Sequence, residues 1–411
     1  MPHIRTVIRA SVLALPMVFG AANASTLTVT STNDSGGGSL RQAIGSAAPG
    51  DLIVFDPAAT GTIALATSLT IAQSVTIQGP GAGNITLDGQ STVRVISLTA
   101  GTLTLSGVTI ANGLTVARGG GVEIGNGATL NVSDSLFTGN QAANGGAIDN
   151  GGGTLTVATS TFQNNTATSV GGGSIINSGT ATVTGNTFLD NAAPLNGGAV
   201  NNQPSGVLTL ENNTFSGNST SGAGGGAVSN LGTMTVINDS FSGNSAADGA
   251  AIATGPATMT LYNNVFADNV AASSPGAISP ASTGTLSHNV FFNNTAGGVE
   301  DDQTGYGSSN FVTTGAEPLG PLANNGGPTQ TQLPLPAGAA VCAGSVALLP
   351  GGLTTDQRGF PRTSLNNGTP CVDAGSVETP GAIPTLATSG LILFGGLLAM
   401  FGIRRMRRPA R

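Results

Sequence analysis

The chain has 411 residues, with 64 Gly, no Lys and no Trp; only 8% of it is charged and 39% is hydrophobic. Disorder is excluded, because disordered chains combine low hydrophobicity with high net charge, and collagen is excluded because the Gly follow no three-residue period. The formal charge is −7, yet seven of the twelve Arg lie at the two ends and leave five Arg against 19 acids between them. A region so poor in cations cannot neutralise a run of phosphates, which excludes nucleic acid as a partner.

The first element in chain order is an address. Arg5 and Arg9 precede an apolar stretch over residues 10–20 and then Ala22-Asn23-Ala24, the arrangement of a secretory signal peptide covering 1–24. Cleavage there leaves Ser25 first and exports the rest to a disulfide-permissive compartment. A short helix is predicted over 39–47, with Leu40, Ile44 and Ala47 near one face. Alone it is marginal in water. Its place before the regular repeats suits a cap over an otherwise open sheet edge. The stretch 34–44, Asp-Ser-Gly-Gly-Gly-Ser-Leu-Arg-Gln-Ala-Ile, resembles the N-terminal cap of bacterial surface β-helix proteins with a CSLREA-like segment, with Gly38 where that motif has Cys.

From about residue 27 to 312, short runs such as Thr154-Leu155-Thr156-Val157 and Val207-Leu208-Thr209-Leu210 alternate apolar with polar residues, which predicts strands with one buried face. A longer period lies over them. Phe137, Phe162, Phe188, Phe215, Phe241, Phe266 and Phe291 recur every 25 to 27 residues. Three places after each stands an Asn: Asn140, Asn165, Asn191, Asn218, Asn244, Asn269 and Asn294. Five places before each stands Val132, Val157, Val183, Leu210, Val236, Leu261 or Leu286, and Ile110 with Leu105 marks an earlier coil. A second block, as in Gly145-Gly146-Ala147-Ile148 and Gly197-Gly198-Ala199-Val200, follows after a gap of variable length.

A unit of two or three short strands cannot bury its apolar face alone, whereas units stacked about 4.8 Å apart can. The expected fold is all-β: a right-handed parallel β-helix over 25–316, about 26 residues per coil and about eleven coils, with the helical cap at its start. The Phe are expected to form an internal ladder. The Asn are expected to form an amide ladder and to turn the corners in the left-handed conformation. Binding is then expected on the variable loops between Asn and the Gly-Gly-Ala block, not on the repeating residues.

Glycoside hydrolysis needs two nearby carboxylates. Glu123 and Asp149 share one offset in successive coils and are the candidate catalytic pair. With no flanking Arg, Lys or His to bind an acidic sugar, they read more simply as two exposed acids on a solvated face. His288, the only His beyond the signal peptide, takes an offset held elsewhere by Asn212, Asn238 and Asn263 and reads as a turn residue. Glu300-Asp301-Asp302 is the densest acid cluster. Ca²⁺ is the one metal it suggests, although Ca²⁺ loops need more widely spaced ligands; no other cofactor is predicted.

Past residue 317 the period stops and Pro increases. Three blocks occur in order, over 321–331, 355–362 (Thr-Asp-Gln-Arg-Gly-Phe-Pro-Arg) and 373–378 (Asp-Ala-Gly-Ser-Val-Glu). They resemble the choice-of-anchor Q domain, which commonly precedes sorting signals on bacterial β-helix proteins, and so mark a module over 317–379. Cys342 stands where that family's pattern has an Asp. Cys342 and Cys371 are the only cysteines, both in this exported module. They predict a disulfide and, lacking His, no zinc set.

Residues 380–411 contain Ile383-Pro384-Thr385-Leu386, an apolar run over 386–403, and then Arg404, Arg405, Arg407, Arg408 and Arg411. The run is about 27 Å long as a helix, enough to span a membrane, and the Arg flank assigns that end to the cytoplasm. This tail resembles the IPTL-CTERM sorting signals, which implies an exosortase-like enzyme as partner and the envelope of a Gram-negative bacterium as destination. The paired Gly-Gly-Ala-Ile and Phe-x-x-Asn repeats resemble those of chlamydial polymorphic outer-membrane proteins, which implies surface adhesion; no autotransporter barrel is visible here. The combined expectation is an exported, non-enzymatic cell-surface β-helix for adhesion or matrix interaction, with a glycan or a host or matrix surface as ligand. The alternatives are a polysaccharide lyase or glycoside hydrolase of pectate-lyase-like fold acting through Glu123 and Asp149, and a purely structural surface spacer.

Overall fold

A computed structural model describes residues 24–379 except 223, 274, 280–282, 301–308, 314 and 367. The predicted signal peptide up to residue 23, Asp301 and Asp302, the Ile383–Leu386 motif, the apolar run and the Arg cluster lie outside the described residues. Among the described residues no helix is long and apolar enough to cross a membrane.

One coil shows how the repeat folds. Ile148–Asn150, Thr154–Ala158, Thr161–Gln163 and Thr166–Ala167 are its four strands. Each pairs in parallel with its counterpart in the next coil. Four sheets result, in about ten turns of about 26 residues. The Leu/Val sheet has 11 strands, from Thr26–Val29 to Thr283–Ser287. The Phe sheet has 11, from Gly61–Ala64 to Phe311–Thr313. The Gly-Gly-Ala sheet has 8, from Leu69–Ile71 to Ile252–Thr254. A fourth sheet of two-residue strands closes the coil. Four strands replace the expected two or three, because a strand as short as Thr166–Ala167 shows no alternation that a pattern search can detect.

The core lies inside this tube. Consecutive Phe are in exact register, fully buried, and stacked with ring centroids 4.7–5.1 Å apart and planes within 3–13°. The coil spacing imposes that geometry, since side chains at one offset must stand one strand spacing apart. Ile110 pairs with Phe137 and Leu105 with Val132, continuing both columns towards the N-terminus. There the helix Leu40–Ser46 follows the first strand of the Leu/Val sheet in the chain and precedes the second, and those two strands pair directly with each other. Ser39 accepts from the N–H of Gln42, and Leu40, Ala43 and Ile44 join the core beside Val29.

The asparagines depart from expectation. The left-handed residue is the one before each ladder Asn: Gly139, Asn164, Asp190 and Gly217 have φ of 63°, 54°, 52° and 67°. That residue turns the chain, and the next side chain points inward. Asn140 through Asn294 are fully buried. Asn191 Nδ2 donates to Asn218 Oδ1 at 2.9 Å and to the Phe162 carbonyl at 3.0 Å, and its backbone N–H donates to the same Oδ1 at 3.1 Å. Each amide thus satisfies corner backbone that would otherwise be buried unpaired. Two further ladders were not legible in the repeat: Asn186–Asn213–Asp239–Asn264–Asn289 before each Phe, and Asn150–Asn177–Asn202–Asn230 after the Gly-Gly-Ala block.

Residues 315–379 do not extend the stack. They fold back along the outer face of the Phe sheet, with one hairpin, Ser364–Asn366 and Thr369–Cys371. Gln357 is the central contact. Its Nε2 donates to the Asn186 carbonyl at 3.0 Å and to Thr187 Oγ1 at 3.1 Å, and its Oε1 accepts from Thr214 Oγ1 at 2.7 Å. Cys342 and Cys371, 29 residues apart, form the predicted disulfide; closing a loop of that length contributes about 3–4 kcal/mol on the chain-entropy model.

Candidate functional site

Glu123 and Asp149 are register partners on the outer face of the Gly-Gly-Ala sheet. They are not two exposed acids. Asp149 is only 2% exposed. The Glu123 side chain, 36% exposed, forms an ion pair through Oε2 with Arg94 Nη1. Arg94 is fixed in turn by donating from Nε to the Gly119 carbonyl at 2.9 Å and from Nη2 to the Arg118 carbonyl at 2.7 Å. The expectation of no flanking Arg is therefore corrected: Arg94 belongs to the preceding coil, and stacking delivers it to a carboxylate 29 positions away.

Burial pushes the Asp149 carboxyl up to about 6; the Arg118 charge opposes that rise, Glu123 adds to it and Arg94 opposes it. Asp149 Oδ1 has no hydrogen-bond partner among the described residues. The pair thus combines an acid that keeps its proton to near neutrality with a carboxylate held by Arg94.

Linkage turns this into a test. The folded Asp149 keeps its proton to about 6, whereas an unfolded Asp loses it near 4. Its contribution is fully present below pH 4 and is lost as pH rises to about 6, amounting to about 3 kcal/mol. Asp149→Asn removes that loss. The variant is expected to gain stability over the natural protein between pH 4 and 6 and to hold the gain at pH 7. Urea unfolding at pH 4, 5 and 7 measures it; a stability difference that does not change with pH refutes it.

A second feature was not foreseen. A groove of about 570 Å³ lies between the flank of the Phe sheet and the folded-back C-terminal segment. Its repeat side carries Asp134, Leu136, Thr159, Thr161 and Gln163, and its other wall Asn324, Thr329 and Gln330. Thr159 Oγ1 donates to Asp134 Oδ1 at 2.8 Å. Thr187 and Thr214, which continue the Leu136–Thr161 column, are fully buried under the C-terminal segment. The groove opens where that cover stops. It uses repeat positions, not the variable loops where binding was expected. Outward Thr and Gln give no sequence signal, and only the lateral docking makes a wall opposite them.

His288 is a corner residue, with φ of 57° in the column of Asn212, Asn238 and Asn263 at 55°, 57° and 58°. Its Nδ1 lies 2.8 Å from Ser287 Oγ. Together these features define a parallel β-solenoid with polar flanks.

The chain belongs to the right-handed β-helix family. The family model, described as a right-handed beta helix region, matches residues 63–238 and 172–314, more than half of the chain in all. No curated protein matches the chain.

Proposed function

We propose that this chain is an exported cell-surface β-helix that acts without catalysis, holding a glycan or another polar matrix ligand in the groove beside its Phe sheet. The observation that carries the reading is the groove itself. It is lined by hydroxyls, amides and a single carboxylate, Asp134, around the apolar Leu136. A sugar chain offers matching hydrogen-bonding groups and C–H faces. Export is supported at the N-terminus: Ser25, the residue that signal cleavage would leave first, donates its N–H to Asp51 Oδ1 at 2.7 Å. A free ammonium there would meet a carboxylate. Tail recognition by an exosortase-like enzyme rests on the Ile383–Leu386 motif and the Arg cluster that follow the choice-of-anchor Q-like blocks.

Binding of the exported protein to a panel of acidic and neutral glycans, and to cells, tests the reading. Thr161→Arg, which fills the groove, is expected to weaken binding at least tenfold. Thr156→Arg on the exposed Leu/Val flank is expected to leave it unchanged. Equal effects refute the groove, and a natural protein that binds nothing supports the spacer alternative. The enzymatic alternative draws on the in-register Glu123 and Asp149, whose raised carboxyl suits a general acid. Release of reducing ends or unsaturated products from the same glycans, abolished by Asp149→Asn, would establish it in place of the binding reading.

A further inference from the structure

The seam between the Phe sheet and the folded-back segment buries more charge than its contacts satisfy. Arg362 is fully buried and is the largest fully buried side chain. Its Nη2 donates to the Asp373 carbonyl at 3.1 Å and to the Gly375 carbonyl, while Nε and Nη1 have no partner among the described residues. The stretch it grips is the one seated on the β-helix: Asn238 Nδ2 donates to the Asp373 carbonyl at 3.2 Å, and the Ser376 N–H donates to Ser240 Oγ at 3.0 Å.

Four acids act on this Arg through their charge: Asp356, Asp373 and Glu378 of the docked segment and Asp239 of the β-helix. Asp356 is saturated by donors: Oδ1 takes the N–H groups of Arg358 and Phe360, and Oδ2 takes the Arg358 guanidinium at 2.8 Å and the Glu378 N–H at 3.0 Å. Asp373 accepts from the Cys342 N–H at 2.7 Å and from the Thr379 N–H and hydroxyl at 2.6 Å each. Both are therefore suited to be carboxylates. The other two are not. Glu378 accepts through Oε2 from the Asp373 N–H at 3.0 Å, and the Ser364 side chain also favours its charged form, but its Oε1 is buried without a partner within hydrogen-bond distance among the described residues.

Asp239 occupies a rung of an asparagine ladder. Its Oδ1 accepts from Asn213 Nδ2 at 3.0 Å as an amide oxygen would. Its Oδ2, buried without a partner, takes the place where Asn213 and Asn264 carry an Nδ2 that donates to the Val183 and Val236 carbonyls. By the same register the groups opposite Oδ2 are acceptors, the Leu210 carbonyl and Asn264 Oδ1. Only an O–H fits between acceptors.

Charge counting agrees with the hydrogen bonding. Within the docked segment Asp356, Asp373 and Glu378 stand against Arg358 and Arg362, so its side of the seam is neutral when one of its acids is protonated. We propose that this seam is a proton-closed latch: it holds the C-terminal segment on the β-helix while Glu378 keeps its proton, and it releases the segment as that proton is lost.

The titration tendencies run the same way. Burial pushes Glu378 up to about 7, with Asp373 adding to the rise and Arg362 opposing it. Burial likewise raises Asp239; the hydrogen bonds from Asn213 oppose that, the charge of the half-buried Glu211 adds to it, and Arg362 opposes it. Asp239 keeps its ladder neighbours whether or not the segment is docked, so Glu378 is the acid whose surroundings change on release. The docking stability that Glu378 supplies is therefore full below the ordinary carboxyl range near pH 4 and is lost as pH rises through about 7.

Hydrogen exchange of the full exported chain between pH 4 and 9, corrected for intrinsic rates and read on peptides within 352–379, tests the latch. The opening constant is expected to rise about tenfold per pH unit for each proton released. Glu378→Gln is expected to flatten the profile and keep the segment protected at pH 8, whereas Asp239→Asn is expected to leave the pH dependence of the segment in place. Protection of the N-terminal strand Leu52–Phe55, which pairs only with other strands of the β-helix, serves as the reference for general unfolding. A pH-independent natural protein, or a Glu378→Gln variant with the same profile as the natural one, overturns the proposal.

Discussion

Phe215→Ala is expected to lower the unfolding free energy by about 3–5 kcal/mol, the usual cost of emptying a buried aromatic site. Phe215 is fully buried, and its ring is stacked 4.7 Å from Phe188 and 4.8 Å from Phe241. The cavity cannot collapse. The flanking coils are tied to each other through the Thr214–Ser216 strand on both sides, so the backbone holds the hole open. In a solenoid, stability is close to a sum of coil and interface terms, so losing both faces of one coil also weakens cooperativity between the two halves. Urea unfolding should show a lower midpoint and a broader transition. Phe360→Ala, at a side chain 52% exposed, should cost less than about 1 kcal/mol; equal costs at the two sites would refute the internal-ladder account.

Asn218→Leu is expected to cost a similar amount for a different reason. Leu matches the shape but deletes four hydrogen bonds. Asn191 loses the acceptor for its backbone N–H and its Nδ2, and the Phe188 carbonyl and Asn244 Oδ1 lose a donor. Groups left buried and unpaired cost about 1–3 kcal/mol each where neither water nor relaxation reaches them. A total of about 4 kcal/mol or more should appear in thermal or urea unfolding. Asn218→Asp separates hydrogen bonding from packing. It keeps the acceptor but must carry a proton to face the Phe188 carbonyl, so its cost should grow from pH 5 to pH 8. A pH-independent cost for Asn218→Asp would show that packing, not donor supply, governs the rung.

These two sites mark what the repeat made legible. Phe every 25 to 27 residues, with an aliphatic residue at a constant offset, predicts inward columns in register, and those columns are the core. The ladder Asn were also legible as a column, but their conformation was not. Position +3 from Phe looks like a corner because Asn favours corners. The corner is position +2, where Gly139, Asn164 and Asp190 share only a tolerance of positive φ and no residue type. The same limit hid the ladder before each Phe. Its members change from Ser135 and Ser160 to Asn186, Asn213 and Asp239, so it does not read as a repeat of one residue.

By itself, then, the sequence determined what repeats one residue type at one offset, namely the Phe, Leu/Val and Asn columns and with them the right-handed β-helix, and also the helical cap and the pairing of the only two cysteines. Tertiary structure alone decided what meets across coils and across modules. Arg94 reaches Glu123 because stacking converts a separation of 29 residues into contact. The groove and the buried Arg362 exist because the C-terminal segment turns back along the Phe sheet instead of continuing the stack. The physical reason is one of range. Periodic burial is imposed by local alternation and the coil spacing, and so is written in spacing. Lateral docking is settled by hydrogen bonds between aperiodic residues such as Gln357 and outward Thr side chains, which leave no spacing to read.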